Sequence, residues 1–325
     1  MGLLVDGVWR DDSHDPSRIQ GGRFVRPYRN FVTADGSAGP SGEGGFAAEP
    51  GRYHLYVAYG CPWAHRTIMY RKLKQLENVI SMSHVSWRTD DDGWTFDTAT
   101  GSSGDTLLGK TFMYEVYLAA TPNFTGRVTV PVLWDKQRKT IVNNESSEII
   151  RMLNSAFDAF TNVRTDYYPA AYRKQIDELN ELIYTTFNNG VYRSGFATTQ
   201  EAYEEAVRGV FSTLDELEIR LSKQRYLCGP QLTEADIRMF PTLVRFDPVY
   251  YSHFKCNVRR IEDYPNLSNY LRDLYQTPGI GETVKFDHIK KNYYGNMVKI
   301  NPTRIVPIGP ALDYARPHDR DRFVS

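Results

Sequence analysis

Cysteine is scarce: Cys61, Cys228 and Cys256 are the only three in 325 residues. Their number and separation exclude a disulfide framework and a Cys-rich zinc site, and point to a reducing, cytoplasmic setting. The seven histidines show no HExxH or HxxxH spacing, so no metal centre is expected. Net charge is also absent, 39 Lys plus Arg standing against 39 Asp plus Glu. Nucleic acid is therefore not the expected partner, because phosphate binding needs a clustered cationic surface. No stretch approaches the roughly 20 consecutive apolar residues of a membrane helix. The start of the chain lacks the basic and apolar regions of a signal peptide, and Asp6 stands where a myristoylation motif carries Ser or Thr.

What is present is a globular composition, 41% apolar and 24% charged, long enough for about two domains. Residues 1–50 are rich in Gly, Ser, Arg and Asp, with the loop-like run 34–45, and read as an N-terminal arm outside the core. Tyr53 to Tyr59 is a nearly continuous apolar run of buried-strand type, and it ends in Gly60-Cys61-Pro62. Pro62 suits a first helical position, with Ala64, Ile68, Met69 and Leu73 following at helical spacing. A strand from Val79 to Trp87 completes β-α-β. Residues 88–126 read as an insertion with a short helix over Lys110 to Ala120. Val128 to Trp134 and Lys139 to Val142 form a hairpin about Asp135 to Arg138, and a helix runs from Ser147 to Leu153. This order predicts a thioredoxin-like α/β domain over 51–157.

An all-α helical bundle is expected over 158–300, with helices over Tyr172 to Asn188, Gln200 to Ser222, Glu234 to Phe246 and Leu267 to Gln276. Thr233 and Asp236 have the spacing of a reciprocal helix cap. Four prolines and many charges predict an extended tail over 301–325.

Cys61 carries the chemistry in this reading. It stands where strand gives way to helix, so its sulfur faces the positive end of the helix dipole. An ordinary thiol of pKa about 8.5 is only about 3% ionised at neutral pH, and such positions lower that pKa. Cys228 and Cys256 read as buried and structural. Position 64 is Ala, so no CxxC disulfide can form and an external thiol must resolve any mixed disulfide; glutathione is the abundant candidate. Pro131 belongs at a sheet edge, its bond to Val130 open to the cis form, which would leave the Val130 N–H and C=O free for a peptide-like ligand. Glu145-Ser146 opens a helix. Its N–H groups and hydroxyl suit a carboxylate, and Glu145 suits an ammonium. His65, four residues after Cys61, offers a Cys-His dyad, but the helix terminus already supplies activation; His54 and His288 read as structural.

Taken together, Tyr59-Gly60-Cys61-Pro62-Trp63-Ala64-His65-Arg66, Gly126 to Asp135 (GRVTVPVLWD), Asn144-Glu145-Ser146-Ser147 and the Thr233-to-Asp236 cap resemble the cysteine-type glutathione transferases, most closely the Xi class of glutathionyl-hydroquinone reductases. The resemblance spans about residues 1–315. It implies that Trp94, Arg127, Val128, Thr129, Val130, Glu145 and Ser146 bind glutathione, with Cys61 as nucleophile. It also implies that Tyr192, Tyr250 and Tyr293, among 22 tyrosines, line a hydroquinone pocket, with Tyr192 transferring the proton. A homodimer with a contact near Gln200 to Arg208 is implied likewise. Competing readings are an omega-like transferase acting on dehydroascorbate, glutathionylated ketones or mixed disulfides, and a noncatalytic carrier on the same scaffold. Gly104 to Thr111 (GDTLLGKT) satisfies the P-loop pattern, but Thr95 to Ser103 before it is no buried strand.

Overall fold

The computed structural model describes residues 2–10, 19–20, 23–24, 26–40 and 45–323. Part of the Gly-rich run, the acidic stretch after Arg10 and the last two residues lie outside these. The chain divides into two compact units, Met1–Thr165 and Asp166–Ser325, so the division falls at 165/166 rather than at 157/158.

The first unit opens with the short strands β1 (Leu3–Val5), β2 (Val8–Arg10), β3 (Ile19–Gln20), β4 (Arg23–Phe24), β5 (Val32–Thr33) and β6 (Phe46–Ala47). There follow β7 (Tyr53–Val57), α1 (Pro62–Leu73), β8 (Ser81–His84), β9 (Thr89–Asp90), β10 (Gly93–Trp94) and α2 (Met113–Ala120). The unit then runs through β11 (Gly126–Arg127), β12 (Val132–Asp135), β13 (Thr140–Asn143) and α3 (Ser146–Ser155). The central sheet has the order β13-β12-β7-β8, with β7 parallel to β8 and the other pairs antiparallel. Leu55, Tyr56 and Val57 of β7 are fully buried, as their unbroken apolar run requires of a strand covered on both faces. Arg52 and Asp135 bridge the sheet end at 2.5 Å, and Asp135 Oδ1 also accepts the N–H of Gln137 at 2.8 Å, which forms the hairpin turn.

Two expectations are corrected. The described residues of 1–50 are not an arm outside the core. Leu4 is fully buried and Val32 is 2% exposed. β1 pairs with β11, Asn30 N–H donates to Val142 O at 3.1 Å, and Arg29 bridges to Asn143. Pro131 is not on a sheet edge either. It directly precedes β12, which lies between β13 and β7, and so escapes the ladder by position. Its bond to Val130 is cis.

The second unit comprises α4 (Arg173–Ile183), α5 (Gly190–Gly195), α6 (Gln200–Leu221), α7 (Glu234–Arg245), α8 (Tyr251–His253), α9 (Pro265–Gln276) and α10 (Phe286–Asn296). Wider π turns at Tyr184–Asn188 and Phe246–Tyr250 lead into α5 and α8. The cap of α7 forms as its spacing predicts: Asp236 Oδ2 accepts from both the N–H and the hydroxyl of Thr233 at 2.8 Å. The last segment is extended, and its described residues are tied to the helices. Arg320 is fully buried, donating at 2.8 Å to Leu221 O, a carbonyl left over where α6 ends, and at 2.8 Å to Arg225 O in the loop that follows.

Candidate active site

Within the first unit, β7 delivers Cys61 to the N-cap of α1 in an extended conformation (φ −80°, ψ 120°), with Pro62 as the first helical residue. The N-cap backbone turns with the helix, Cys61 O accepting from His65 N–H at 3.0 Å, while the side chain remains half-buried and in no disulfide. The sulfur lies 3.7 Å from Val130 O, the carbonyl before the cis bond to Pro131. Cys228 and Cys256 are buried, and burial pushes their thiols up to about 11 and about 12. His65, 1% exposed, sits on the core side of α1. His54 is held between the Ser81 and Ser83 hydroxyls at 2.7 and 3.0 Å, and burial lowers it to about 4, so its imidazole is neutral and structural.

Of the residues expected to bind glutathione, Val128, Val130 and Ser146 are buried, Thr129, Arg127 and Glu145 are half-buried, and Trp94 is 8% exposed. Glu145 is the N-cap of α3. Its Oε1 accepts from the Ser147 N–H and hydroxyl, both at 3.1 Å, and its Oε2 accepts from Arg26 Nε at 2.9 Å. Burial pushes this carboxyl up, but Arg26 and the Ser147 donors outweigh it and hold it below its ordinary value. Tyr117 of α2 donates to Thr129 O at 2.9 Å and accepts from Asn144 Nδ2 at 3.1 Å, tying the Val130 segment to the start of α3. Sequence reasoning found neither Arg26 nor Tyr117. Nothing in the composition of the arm marks one arginine over another, and Tyr117 reads as helix packing.

The insertion is fastened by the residues that mimic a P-loop. Asp105 accepts the N–H groups of Leu107, Leu108 and Lys110, each at 3.0 Å, and the Tyr56 hydroxyl at 3.0 Å. Backbone donors that would cradle phosphate are thus spent on a side chain, and the loop is an anchor on β7.

In the second unit the three tyrosines expected to act together do meet. Tyr192 and Tyr293 hydroxyls are 2.5 Å apart, and those of Tyr250 and Tyr293 are 2.7 Å apart. Tyr250 and Tyr293 are buried, and burial holds both phenols well above their ordinary value. Tyr192 alone of the three is half-exposed. The π turn that precedes α8 carries Tyr250 into the cluster, and Arg245, fully buried at the end of α7, opposes the upward push on both phenols. Arg245 was not anticipated, since a lone arginine in a helix reads as a surface residue.

Known proteins share this two-unit fold. Residues 60–156 match the family model of the glutathione S-transferase N-terminal domain, and residues 200–273 that of the C-terminal domain. Glutathionyl-hydroquinone reductase YqjG of Escherichia coli K12 is 58% identical over 325 residues, covering 99% of both chains. The glutathione-bound structure of YqjG superimposes with a TM-score of 0.92 at 56% identity, covering 98% of this chain and 99% of that one. A Xi-class transferase from Natrialba magadii does so with a TM-score of 0.92 at 49% identity, over 99% and 97% of the two chains. The chain belongs to the glutathione transferase family. Within that family it falls in the Xi class, whose thioredoxin-like and helical domains correspond to the two units.

Proposed function

We propose that this protein is a glutathionyl-hydroquinone reductase working through a Cys61-glutathione mixed disulfide. The observation that carries the reading is Cys61 at the helix N-terminus beside the Val130 carbonyl, in a unit that also presents Glu145 and Ser146 at the start of α3.

In this reading Val130 offers backbone groups to the cysteinyl part of glutathione, as the sulfur's approach to its carbonyl suggests. Ser146 and the N-terminal N–H groups of α3 take a carboxylate, and Glu145 takes the ammonium. Arg127 pairs with the other carboxylate, Val128 and Thr129 shape the strand-like wall, and Trp94 closes one side. The Cys61 thiolate attacks the thioether sulfur of the conjugate. A Cys61–glutathione S–S bond forms, the carbon–sulfur bond breaks, and the ring carbon keeps the electron pair and takes a proton. Tyr192 delivers that proton, its hydroxyl replenished through Tyr293 and Tyr250, which line the ring pocket. A second glutathione thiolate then attacks the mixed disulfide, releasing glutathione disulfide and restoring Cys61. One conjugate and one glutathione thus give one hydroquinone and one disulfide. No metal takes part. The enzyme works as a cytoplasmic homodimer, a setting in which reduced glutathione is abundant.

The test is to incubate the protein with glutathione and a glutathionyl-benzohydroquinone, following free hydroquinone and glutathione disulfide in equal amounts. Rates unchanged by the protein would overturn the proposal, and a higher kcat/KM for dehydroascorbate would favour an omega-like activity instead.

A further inference from the structure

Arg26 is bonded to two of the glutathione-site residues at once. Its Nε donates to Glu145 Oε2 at 2.9 Å and its Nη1 to Thr129 Oγ1 at 2.9 Å, across 119 and 103 residues of sequence. The pair is partly shielded, with 16% of the Arg26 side chain and 28% of the Glu145 side chain exposed. The segment that carries Arg26 is itself anchored. Tyr28 exchanges a hydroxyl hydrogen bond with Thr121 at 2.8 Å and stacks on Phe124, and Arg29 is paired with Glu148.

The two oxygens of Glu145 are used differently. Oε1 is taken up by the start of its own helix, by the Ser147 N–H and hydroxyl and, at 3.4 Å, the Ser146 hydroxyl. Oε2 accepts from Arg26 Nε, and a carboxylate oxygen has lone-pair capacity for a second donor. We propose that Arg26 is a positioning residue for the amino-acid head of glutathione, holding Glu145 Oε2 charged and aimed for the ligand's α-ammonium. The inference rests on the glutathione reading above and assigns Arg26 no contact with the reacting sulfur.

The physical consequence concerns charge. A carboxylate shielded from water stays ionised only while cations and N–H donors compensate for the lost solvent. Among the described residues, the charged groups that act on Glu145 include Arg26 and Arg29, and Arg29 is committed to Glu148 of α3. Removing the Arg26 charge leaves burial less opposed, so Glu145 protonates at higher pH and loses its attraction for an ammonium.

Glutathione affinity measured by calorimetry between pH 4.5 and 8 tests this on the full-length protein, with Arg26→Gln and Arg26→Lys beside the wild type. Arg26→Gln should bind glutathione about tenfold more weakly at pH 7, and the acid limb of its affinity should move up by about one pH unit. Arg26→Lys should recover most of both, since it keeps the charge. A glutathione analogue in which hydrogen replaces the α-ammonium should bind wild type and Arg26→Gln alike, whereas a loosened arm would weaken both ligands. Equal weakening of the two ligands, or an Arg26→Gln profile that overlays the wild type, overturns the inference alone. A wild type with no saturable glutathione binding overturns the parent reading as well.

Discussion

The sulfur of Cys61 lies 3.7 Å from the carbonyl oxygen of Val130, although 69 residues separate the two. The strand-to-helix turn after β7 and the cis bond before β12 are thereby brought to one point. Any ligand that pairs with the backbone at Val130 lies within reach of the thiol.

Reactivity should therefore be confined to one cysteine. At pH 7.5 and a modest excess of iodoacetamide, intact-mass measurement should show one adduct, mapping to Cys61, because burial pushes the Cys228 and Cys256 thiols up to about 11 and about 12. Cys61→Ser should take no adduct and should lose at least about 1,000-fold of the thiol-transfer rate, since a hydroxyl is a poor nucleophile at its ordinary pKa. Adducts forming at Cys228 or Cys256 as fast as at Cys61 would contradict the placement.

Tyr192→Phe removes one end of the hydroxyl chain through Tyr293 to Tyr250. The expected result is a fall in kcat for the quinol conjugate of about 100-fold, typical of a lost general acid. Glutathione affinity should stay within about twofold, because Cys61, Glu145 and Val130 are untouched. A parallel loss of both would indicate that Tyr192 supports the fold instead.

Asp135 is fully buried against Arg52. Burial raises its carboxyl, but Arg52 and the turn N–H groups outweigh this and hold its pKa below the ordinary 3.8. A depressed carboxylate stabilises the folded state fully above its unfolded value and loses that contribution as pH falls through the folded one. Asp135→Asn should cost about 3 kcal/mol at pH 7, because the buried Arg52 guanidinium loses the charged acceptor of its Nε and Nη2 and keeps only Glu49, on Nη1. In urea titrations its stability should also fall less steeply than wild type below about pH 4. Equal stability of the two proteins at pH 7 would show the pair to be dispensable.

Arg320→Ala should lower the stability of the helical unit by about 2–4 kcal/mol, because the last carbonyl of α6 and that of Arg225 in the loop after it lose a buried charged donor. Arg320→Lys should recover little of this, since an ammonium cannot reproduce the fork that spans several carbonyls. Thermal unfolding followed by circular dichroism checks both, and an unchanged midpoint for Arg320→Ala would mean the last segment is only loosely laid down.

Much of this molecule could be read from local rules. Pro62 after Cys61 marks the start of α1, the apolar run over β7 marks a strand covered on both faces, and Thr233 with Asp236 marks the cap of α7. Each signal is carried by residues within one or two turns of chain, where the pattern of donors and apolar side chains specifies one backbone state. The anchoring of the two ends was not legible for the opposite reason. Their order comes from single long-range bonds, such as Arg26 to Glu145 and Arg320 to the end of α6, that leave no periodicity in a Gly-rich or Pro-rich segment.

The amino-acid sequence by itself determined the order of the main elements from β7 onward, the cysteine set between strand and helix and the residue types suited to a tripeptide, because these depend on spacing and on intrinsic chemistry. Tertiary structure alone decided that Pro131 precedes an internal strand, that the P-loop pattern is a side-chain anchor, that three tyrosines share a hydrogen-bond chain, and that Arg26 attends Glu145. These are contacts between segments far apart in the chain. Packing chooses their partners, and no local propensity encodes which donor will meet which acceptor.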